Sequence, residues 1–293
     1  DPIAEKSVKV TVADNGDGTL TAVSSAPKGN PAVFANTYSS SGAFAEALIE
    51  KTVEAQGDAW AGDSGKTFAF AIEAGENDAG VATPVPENAT ASLTFKEAGA
   101  KTIGFGAIKF TAAGTYHYTV RETTASGDGW TCDNEPHEVA VKVTDKGDGT
   151  LDAQVVSNGS DELSFTNTYT ATGSIKLTGT KSLTGRDAKA GEFGFTVKDE
   201  AGKVVATGSN GANGAITFTP ISYTQANLGD HTYKVTEDQG NLGGVSYDQT
   251  EKTVVVHVAD NGNGTLSATV VAEKSQDIAF TNTYTATGEA QFT

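Results

Sequence analysis

The sequence predicts an all-β protein made of immunoglobulin-like β-sandwich domains in tandem. Short segments rich in Val, Thr, Phe and Tyr alternate in polarity and are separated by turns rich in Gly, Asp and Asn, which is the pattern of antiparallel strands. The 34 Gly residues leave little scope for helix, because Gly is a poor helix former. The pattern also recurs in units of roughly 115–130 residues, a size that suits a β-sandwich domain.

The composition excludes several classes of protein. The chain has 37 Asp and Glu residues against 20 Lys and Arg residues, a formal net charge of -17, so nucleic acid and anionic membrane are disfavoured as partners. One cysteine cannot build a disulfide framework. No apolar run is long enough for membrane insertion, and no signal peptide is recognisable. The opening residues DPIAEK read as an internal cut, so we expect a piece of a longer protein.

Three segments predict β-hairpins. They read KSVKVTVADNGDGTLTA from Lys6, HEVAVKVTDKGDGTLDA from His137 and KTVVVHVADNGNGTLSA from Lys252. In each, an alternating strand leads through a turn rich in Asp, Asn and Gly into a second alternating strand. The turns superficially resemble calcium loops, but they lack the remaining ligands and the final Glu of an EF-hand. We therefore interpret them as hairpin turns, with a weak ion site as the alternative.

A phrase of the form Phe-x-Asn-Thr-Tyr follows every hairpin. It reads VFANTYSSSG at 33–42, SFTNTYTATG at 164–173 and AFTNTYTATG at 279–288. The strand before each of the last two hairpins also repeats, as YHYTVRE at 116–122 and YKVTE at 233–237. The phrase therefore marks the end of one structural unit and the start of the next.

The first strand of each unit repeats as well. IEKTVEA at 49–55 matches GTKSLTG at 179–185, and each leads to a Phe-x-Phe segment, TFAFAI or EFGFTV. The residues 42–55 have a helix-forming composition, but their counterpart is plainly a strand, so we predict a strand in both places.

These repeats predict the domain organisation. Residues 1–38 are the C-terminal part of a preceding repeat, 39–170 and 171–288 are complete sandwich domains, and 289–293 begin a further repeat. The last assignment rests on the parallel between GEAQFT at the chain end and GSIKLT at 173–178.

Each complete domain places three polar residues within otherwise apolar strands. They are Lys51, Glu122 and Asn167 in the first domain, and Lys181, Glu237 and Asn282 in the second. The Glu precedes the Asn by 45 residues in both domains, whereas the Lys precedes the Glu by 71 residues in the first and 56 in the second. This difference predicts a loop insertion within 74–102. An ionisable pair in a core is costly unless it is paired or neutralised, so we expect a chain that repeats the pair to use it.

The motifs around these residues resemble the streptococcal-pilin type of CnaB-like intramolecular isopeptide domain, which is found in Gram-positive pilins and surface adhesins. The matching motifs are GTKSL in the first strand, YKVTED and YTVRETTASGDGW in the acidic strand, and AFTNTY in the last strand. The resemblance covers essentially the whole chain. It implies CnaB-type sandwiches, each with a covalent amide between the Lys amine and the Asn side chain and with the Glu as catalyst.

Physical chemistry supports this assignment. Burial among aromatic residues raises the pKa of a Glu and lowers that of a Lys, so the Lys presents a neutral, nucleophilic amine and the protonated Glu can polarise the Asn carboxamide. Lys176 is a rival nucleophile in its strand. We favour Lys181, because its counterpart in the other domain is Lys51, whereas the counterpart of Lys176 is Glu46. The aromatic residues expected around the second site are Phe193, Phe195, Tyr233 and Phe280.

Asn36 lies in the same phrase as Asn167 and Asn282, but residues 1–38 contain no matching Lys and Glu. We expect it to remain an unbonded, acceptor-like Asn unless a neighbouring chain supplies the missing strands. The hairpin within 8–36 is not expected to be stable alone. We predict that it packs on the following domain or borrows strands from another molecule.

The remaining reactive side chains suggest structural roles. Cys132 replaces Tyr247 of the other domain and has no thioester-type Gln partner, so we interpret it as structural. Trp60 and Trp130 suit core packing better than sugar stacking. The four His residues lack metal-ligand spacing, so no metal site is predicted; they are His117, His137, His231 and His257.

The sequence therefore predicts a structural stalk module of an extracellular, cell-wall-anchored adhesin or pilin-like protein of a Gram-positive bacterium. Its expected partners are neighbouring repeats of the same protein. The alternative is a ligand-binding adhesin region in which the 74–102 insertion contacts a host glycan or matrix protein. No Ser-His-Asp constellation or phosphate loop is discernible, so we expect single-turnover autocatalysis without a cofactor rather than an enzyme. A sortase-type YPK motif and an LPxTG-like signal are absent from these residues, which leaves polymerisation open.

Overall fold

The computed structural model of the chain describes residues 7–25, 37–156 and 163–289. The described residues form strands joined by turns, with two short 3-10 turns at Gln225–Asn227 and Ala272–Lys274, so the predicted all-β fold class is confirmed. No helix in these ranges has the length and apolar character needed to cross a membrane.

The strands fall into an N-terminal hairpin and two larger groups. The N-terminal hairpin consists of β1 (Val10–Asp14) and β2 (Leu20–Ser24). The first sandwich is formed by β3 (Ala43–Ala45), β4 (Leu48–Glu54), β5 (Lys66–Asn77), β6 (Thr90–Phe95), β7 (Gly99–Gly104), β8 (Ile108–Phe110), β9 (Gly114–Glu122), β10 (Trp130–Thr131), β11 (His137–Asp145), β12 (Leu151–Val156) and β13 (Leu163–Tyr169).

The second sandwich repeats this series of strands. It is formed by β14 (Thr172–Ile175), β15 (Thr178–Thr184), β16 (Gly194–Lys198), β17 (Val204–Asn210), β18 (Ala215–Phe218), β19 (Ile221–Thr224), β20 (Gly229–Glu237), β21 (Val245–Ser246), β22 (Glu251–Asp260), β23 (Leu266–Val270) and β24 (Ala279–Tyr284). The residues 42–55 thus contain β3 and β4, so the choice of strand over helix is confirmed.

The two sandwiches have the same strand order, but their strands are hydrogen-bonded into two sheets in the first and into one sheet in the second. In the first, a four-stranded sheet β10-β13-β4-β7 faces a five-stranded sheet β12-β11-β9-β5-β6. In the second, the same order runs through one curled nine-stranded sheet, β21-β24-β15-β18-β17-β16-β20-β22-β23, because β18 also pairs with β17. A two-stranded sheet accompanies each sandwich, β3-β8 in the first and β14-β19 in the second.

Alternation along the strands decides which side chains form the core. Successive residues of a strand point to opposite faces, so β9 buries Tyr116, Tyr118 and Val120 and leaves the residues between them wholly or partly exposed. Glu122 continues the buried series at the end of β9. The pattern of the strand therefore directs a carboxyl group into the core.

The last strand of each sandwich is parallel to its first long strand. β13 pairs with β4 and β24 pairs with β15. The buried Phe of the repeated phrase, Phe165 or Phe280, lies opposite Lys51 or Lys181 in the register. The phrase therefore places its Asn on the same sheet as the Lys.

The predicted insertion lies after the Phe-x-Phe segment. β5 runs for 12 residues, whereas its counterpart β16 has 5, and residues 78–89 link β5 to β6. Asn77 stabilises the first part of this loop, because its side-chain amide donates to Val81 O at 2.9 Å and to Thr83 Oγ1 at 2.6 Å.

The N-terminal hairpin buries neither face. Every residue of β1 and β2 is exposed, including Val10 and Val12, whereas the corresponding Val141 and Val143 are buried in the first sandwich. The expectation that this hairpin packs on the following domain is therefore wrong for the described residues. Borrowed strands from another molecule remain a prediction.

Candidate functional site

Three polar side chains meet inside the first sandwich. Lys51 lies on β4, Asn167 on β13 and Glu122 at the end of β9, and at most 3% of any of them is exposed. Lys51 is opposite Phe165, and Asn167 is two residues further along β13. Because strand residues alternate between faces, Lys51 and Asn167 project from the same face of their sheet.

Glu122 connects the other two side chains. The Asn167 Nδ2 group donates a hydrogen bond of 2.7 Å to Glu122 Oε1. Lys51 Nζ lies 3.2 Å from Glu122 Oε2 and donates to Phe165 O at 3.2 Å. Among the described residues, Glu122 Oε2 has no hydrogen-bond partner, because its approach to Nζ is an ion-pair contact without hydrogen-bond alignment.

The second sandwich contains the same cluster with a tighter contact. Lys181 Nζ donates to Glu237 Oε2 at 2.7 Å, and Asn282 Nδ2 donates to Glu237 Oε1 at 2.6 Å. At most 4% of any of the three residues is exposed. One oxygen of the carboxyl group therefore faces the amine and the other faces the carboxamide nitrogen.

The surroundings of these clusters disfavour charge. Burial lowers the pKa of Lys51 and of Lys181, and the neighbouring Glu opposes this shift only in part. Burial raises the pKa of Glu122 against the opposing effect of its bond from Asn167. Lys51 Nζ lies 5.1 Å from the centroid of the Phe68 ring. The amine therefore has an aromatic ring as a neighbour on this side, where an exposed lysine would have water. In the first cluster, these shifts favour a neutral amine beside a protonated carboxyl group.

The lysine in the second cluster has the same aromatic setting. Lys181 Nζ lies 4.7 Å from the centroid of the Phe193 ring. The aromatic residues expected around this site are all buried, namely Phe193, Phe195, Tyr233 and Phe280.

Each cluster also contains a donor that the sequence did not suggest. The backbone N–H of Asp133 donates to Asn167 Oδ1 at 2.8 Å, and that of Asp248 donates to Asn282 Oδ1 at 2.8 Å. A donor on this oxygen polarises the carboxamide and suits a developing oxyanion. The sequence does place an Asp at matching positions in the two domains, directly after Cys132 and Tyr247. The donor is the backbone N–H of this Asp, and because every residue except Pro has such a group, the residue type did not indicate the hydrogen bond.

The other candidate residues lie apart from these clusters. Lys176 is exposed between β14 and β15, outside the second cluster. Asn36 lies outside the described residues. Trp60 and Trp130 are buried and contact each other edge to face with 5.1 Å between ring centroids, so their predicted packing role is confirmed.

Cys132 lies at the margin of the first cluster. It is buried, and burial raises the pKa of its thiol to about 11. A thiol with such a pKa is protonated at neutral pH and is a poor nucleophile. This burial agrees with the structural interpretation of Cys132.

The family model described as FctA, Spy0128-like isopeptide containing domain, matches residues 1–39, 48–170 and 177–285. The chain belongs to this family. The resemblance to isopeptide domains of the streptococcal-pilin type is therefore confirmed. The second matched segment contains the Lys51 cluster and the third contains the Lys181 cluster. No curated protein matches the sequence.

Several solved structures are similar to this Spy0128-like chain. The major pilin of Streptococcus pyogenes has 17% identity and a TM-score of 0.38, over 82% of this chain and 98% of the pilin. The T-13 major pilin of the same organism has 20% identity and a TM-score of 0.35, over 83% and 97%. A C-terminal fragment of the pilus adhesin SpaC from Lactobacillus rhamnosus GG has 16% identity and a TM-score of 0.26, over 83% and 100%.

Proposed function

We propose that this chain is a load-bearing stalk module of a Gram-positive surface adhesin or pilin-like protein, and that each sandwich closes an autocatalytic amide bond. The bonds link Lys51 to Asn167 and Lys181 to Asn282. The observation that supports this most directly is the bridging carboxyl group, since Glu237 contacts both Lys181 Nζ and Asn282 Nδ2 within hydrogen-bond distance. Membership of the isopeptide-containing family supports it independently.

The proposed reaction balances without a cofactor. In the first sandwich, the neutral amine of Lys51 attacks Asn167 Cγ, and the Asp133 N–H stabilises the negative charge on Oδ1. Glu122 gives its proton to Nδ2 as the Cγ–Nδ2 bond breaks, and it takes back a proton from the attacking nitrogen. The second sandwich has the corresponding residues in the same arrangement. Ammonia leaves, an amide remains, and the Glu ends in its starting form. Because the reactants are held in contact by the fold, a single turnover needs no external substrate.

The position of the bonds suits a stalk. Each proposed bond joins the first long strand of its sandwich to the last, and these strands are adjacent and parallel. Tension that enters at one end of a sandwich therefore passes through the bond to the other end and bypasses the core. In this proposal the protein is extracellular and anchored at the cell wall, and neighbouring repeats are its partners.

Intact-protein mass spectrometry tests the proposed bonds. We expect the purified chain to be lighter than its sequence mass by two equivalents of ammonia. Glu237→Ala and Asn282→Ala should each restore one equivalent relative to the sequence mass of the variant, and Glu273→Ala, an exposed residue on the same sandwich, should restore none. A parent chain of full sequence mass would overturn the proposal.

The insertion supports a second candidate function, ligand binding. The loop 78–89 is longer than residues 199–203, its counterpart in the second sandwich, and it presents Val81 and Val85, which are 44% and 54% exposed. A saturable signal on a glycan or matrix-protein array that is lost in the double variant Val81→Ser and Val85→Ser would favour this function. An unchanged signal in that variant would exclude the loop as the contact surface.

A further inference from the structure

The tyrosine of the repeated phrase reaches into the next sandwich. The Tyr169 hydroxyl donates to Asp260 Oδ1 at 2.9 Å and accepts from the Gly264 N–H at 3.0 Å. Asp260 and Gly264 flank the turn between β22 and β23, the hairpin turn with the sequence DNGNG. One phenol group thus closes a contact between the end of the first sandwich and a turn of the second.

The same contact occurs one repeat earlier. The Tyr38 hydroxyl donates to Asp145 Oδ1 at 2.8 Å and accepts from the Gly149 N–H at 3.1 Å. Here the turn is DKGDG, between β11 and β12 of the first sandwich. The phrase and the turn that it contacts always belong to successive repeats.

A backbone bond accompanies the phenol at both junctions. The residue three positions after the Tyr donates its N–H to the same turn Gly, from Ser41 to Gly149 O at 2.7 Å and from Thr172 to Gly264 O at 3.2 Å. Each junction therefore has the same three hydrogen bonds. A chance contact would not repeat donor, acceptor and spacing together.

Glycine allows the close approach at the second junction. A Cβ atom on Gly129 would lie 2.6 Å from the Gly264 Cα and 2.7 Å from the Tyr169 ring. Both glycines have positive φ angles, +87° and +79°, a conformation that other residues adopt at a cost. Only 3% of Tyr169 is exposed, and burial raises the pKa of its hydroxyl to about 12, so the group remains a donor at neutral pH.

The second sandwich has, at its C-terminal end, a tyrosine in the same setting as the tyrosine of these junctions. The Thr285 N–H donates to Gly244 O at 2.9 Å, as the Thr170 N–H donates to Gly129 O at 2.9 Å. A Cβ atom on Gly244 would lie 3.0 Å from the Tyr284 ring. Tyr284 is therefore held against a positive-φ glycine in the way that Tyr169 is held against Gly129.

The N-terminal hairpin has a turn like those that contact the tyrosine in the two junctions. Asp14 Oδ1 accepts the Gly16 N–H at 2.9 Å, as Asp260 Oδ1 accepts the Gly262 N–H at 2.8 Å. Gly16 and Gly18 have positive φ angles of +76° and +85°. The turn Asp14–Gly18 thus has the conformation of the two turns that receive a tyrosine.

We propose that the last-strand tyrosine and the hairpin turn form the recognition element by which one repeat binds the next, and that Tyr284 and the turn Asp14–Gly18 are complementary halves that bind a second copy of this chain head to tail. The hydroxyl of Tyr284 supplies the donor, and the turn supplies the carboxylate of Asp14 and the N–H of Gly18. This role adds to the interpretation of these segments as hairpin turns, and the weak ion site remains a separate alternative. It does not depend on whether the amide bonds form.

The junction inside the chain is tested by comparing two tyrosines. NMR residual dipolar couplings should give one alignment tensor for both sandwiches in the parent chain. Tyr169→Phe should separate the two tensors and shift the Gly264 amide resonance. Tyr284→Phe, which removes a phenol hydroxyl away from the junction of the two sandwiches, should leave a single tensor. A single tensor in Tyr169→Phe would overturn the proposed role of the hydroxyl.

The halves at the two ends are tested by self-association. In a concentration series of the parent chain, the Gly18 amide resonance should move and saturate. Tyr284→Phe and Asp14→Ala should each weaken this association about tenfold, the scale of one lost hydrogen bond, while Tyr169→Phe should leave it unchanged. A Gly18 resonance that does not depend on concentration, or that moves equally in Tyr284→Phe, would show that a second copy is not the partner.

Discussion

At the scale of single residues, the two clusters place charge-forming groups where charge is unfavourable. Glu122 and Lys51 are both buried, and the shifts of their pKa values have the direction that turns an ion pair into a neutral acid and a neutral amine. A buried ion pair is weak evidence of stabilisation, because desolvation offsets the Coulomb attraction. The proposed reaction would account for the repeated arrangement, whereas a gain in stability would not.

The backbone donor at Asp248 provides a test of the reaction itself. Asp248→Pro removes the N–H that contacts Asn282 Oδ1, and we expect bond formation in the second sandwich to slow by about 10²–10³-fold, as for the loss of one oxyanion donor. Asp248→Ala keeps the N–H and is the matched control. Intact mass at timed intervals after cell-free synthesis measures the rate. Equal rates in the two variants would remove the N–H from the mechanism.

The pair of Glu192 and Arg186 predicts a pH dependence of stability. The Arg186 guanidinium and the Lys189 N–H hold the pKa of Glu192 at about 2, below the unfolded value of about 4.3. A depressed pKa contributes stability that is present above pH 4.3 and lost as the pH falls towards 2. Because Arg186 is partly exposed and salt screens the pair, we expect a contribution of about 1 kcal/mol.

Chemical denaturation at pH 5 and at pH 2.5 measures this contribution. Glu192→Gln should lower the free energy of unfolding at pH 5 and have a smaller effect at pH 2.5. Glu251→Gln, from an exposed pair with Lys234, should change little at either pH. A loss in Glu192→Gln that is equal at both pH values would mean that the carboxylate charge is not the cause.

At the scale of elements, a buried polar side chain supplies hydrogen bonds to backbone groups next to the ends of strands. Asn210 lies at the end of β17 and is 3% exposed. Its Oδ1 accepts the Phe193 N–H at 2.9 Å, and its Nδ2 donates to Lys189 O at 2.9 Å and to Gly211 O at 3.1 Å. One side chain therefore satisfies three backbone groups, two just before β16 begins and one just after β17 ends.

Removing this side chain should be costly. We expect Asn210→Ala to lower the free energy of unfolding by about 2–3 kcal/mol, because it leaves the buried Phe193 N–H and two part-buried carbonyl groups without this partner. Asn213→Ala, which removes an exposed turn bond to the Ala215 N–H, should cost less than about 1 kcal/mol. Calorimetry of both variants measures the difference, and equal losses would contradict the role given to burial.

At the scale of the whole molecule, the proposed bonds constrain the unfolded chain. Each closes a loop of about 100 residues, for which a crosslink contributes roughly 4–5 kcal/mol in the chain-entropy model. Asn167→Ala should therefore lower the unfolding transition of the first sandwich alone, and Asn282→Ala that of the second alone. Reducing agent should have no effect, because the chain has one cysteine. A parent chain that reducing agent destabilises would contradict this prediction.

Much of this arrangement was accessible from the sequence. Strands, hairpin turns and buried positions follow from local alternation, and the six site residues stood out because a polar residue interrupts an apolar strand at matching places in both repeats. The burial of Phe280 and a strand within residues 42–55 were predicted and are confirmed. Local periodicity determines these features, since the period of a strand fixes which side chains share a face.

The tertiary structure alone decided the rest. The Asp133 and Asp248 N–H donors and the contact of Tyr169 with the following turn depend on segments that are distant in sequence. Backbone groups carry no residue-type signature, and a polar turn looks the same whether it faces water or a tyrosine. Local sequence patterns predicted the polar residues of the two clusters and the strands that carry them, whereas packing between strands, turns and repeats determined what Asn167, Asn282 and Tyr169 contact.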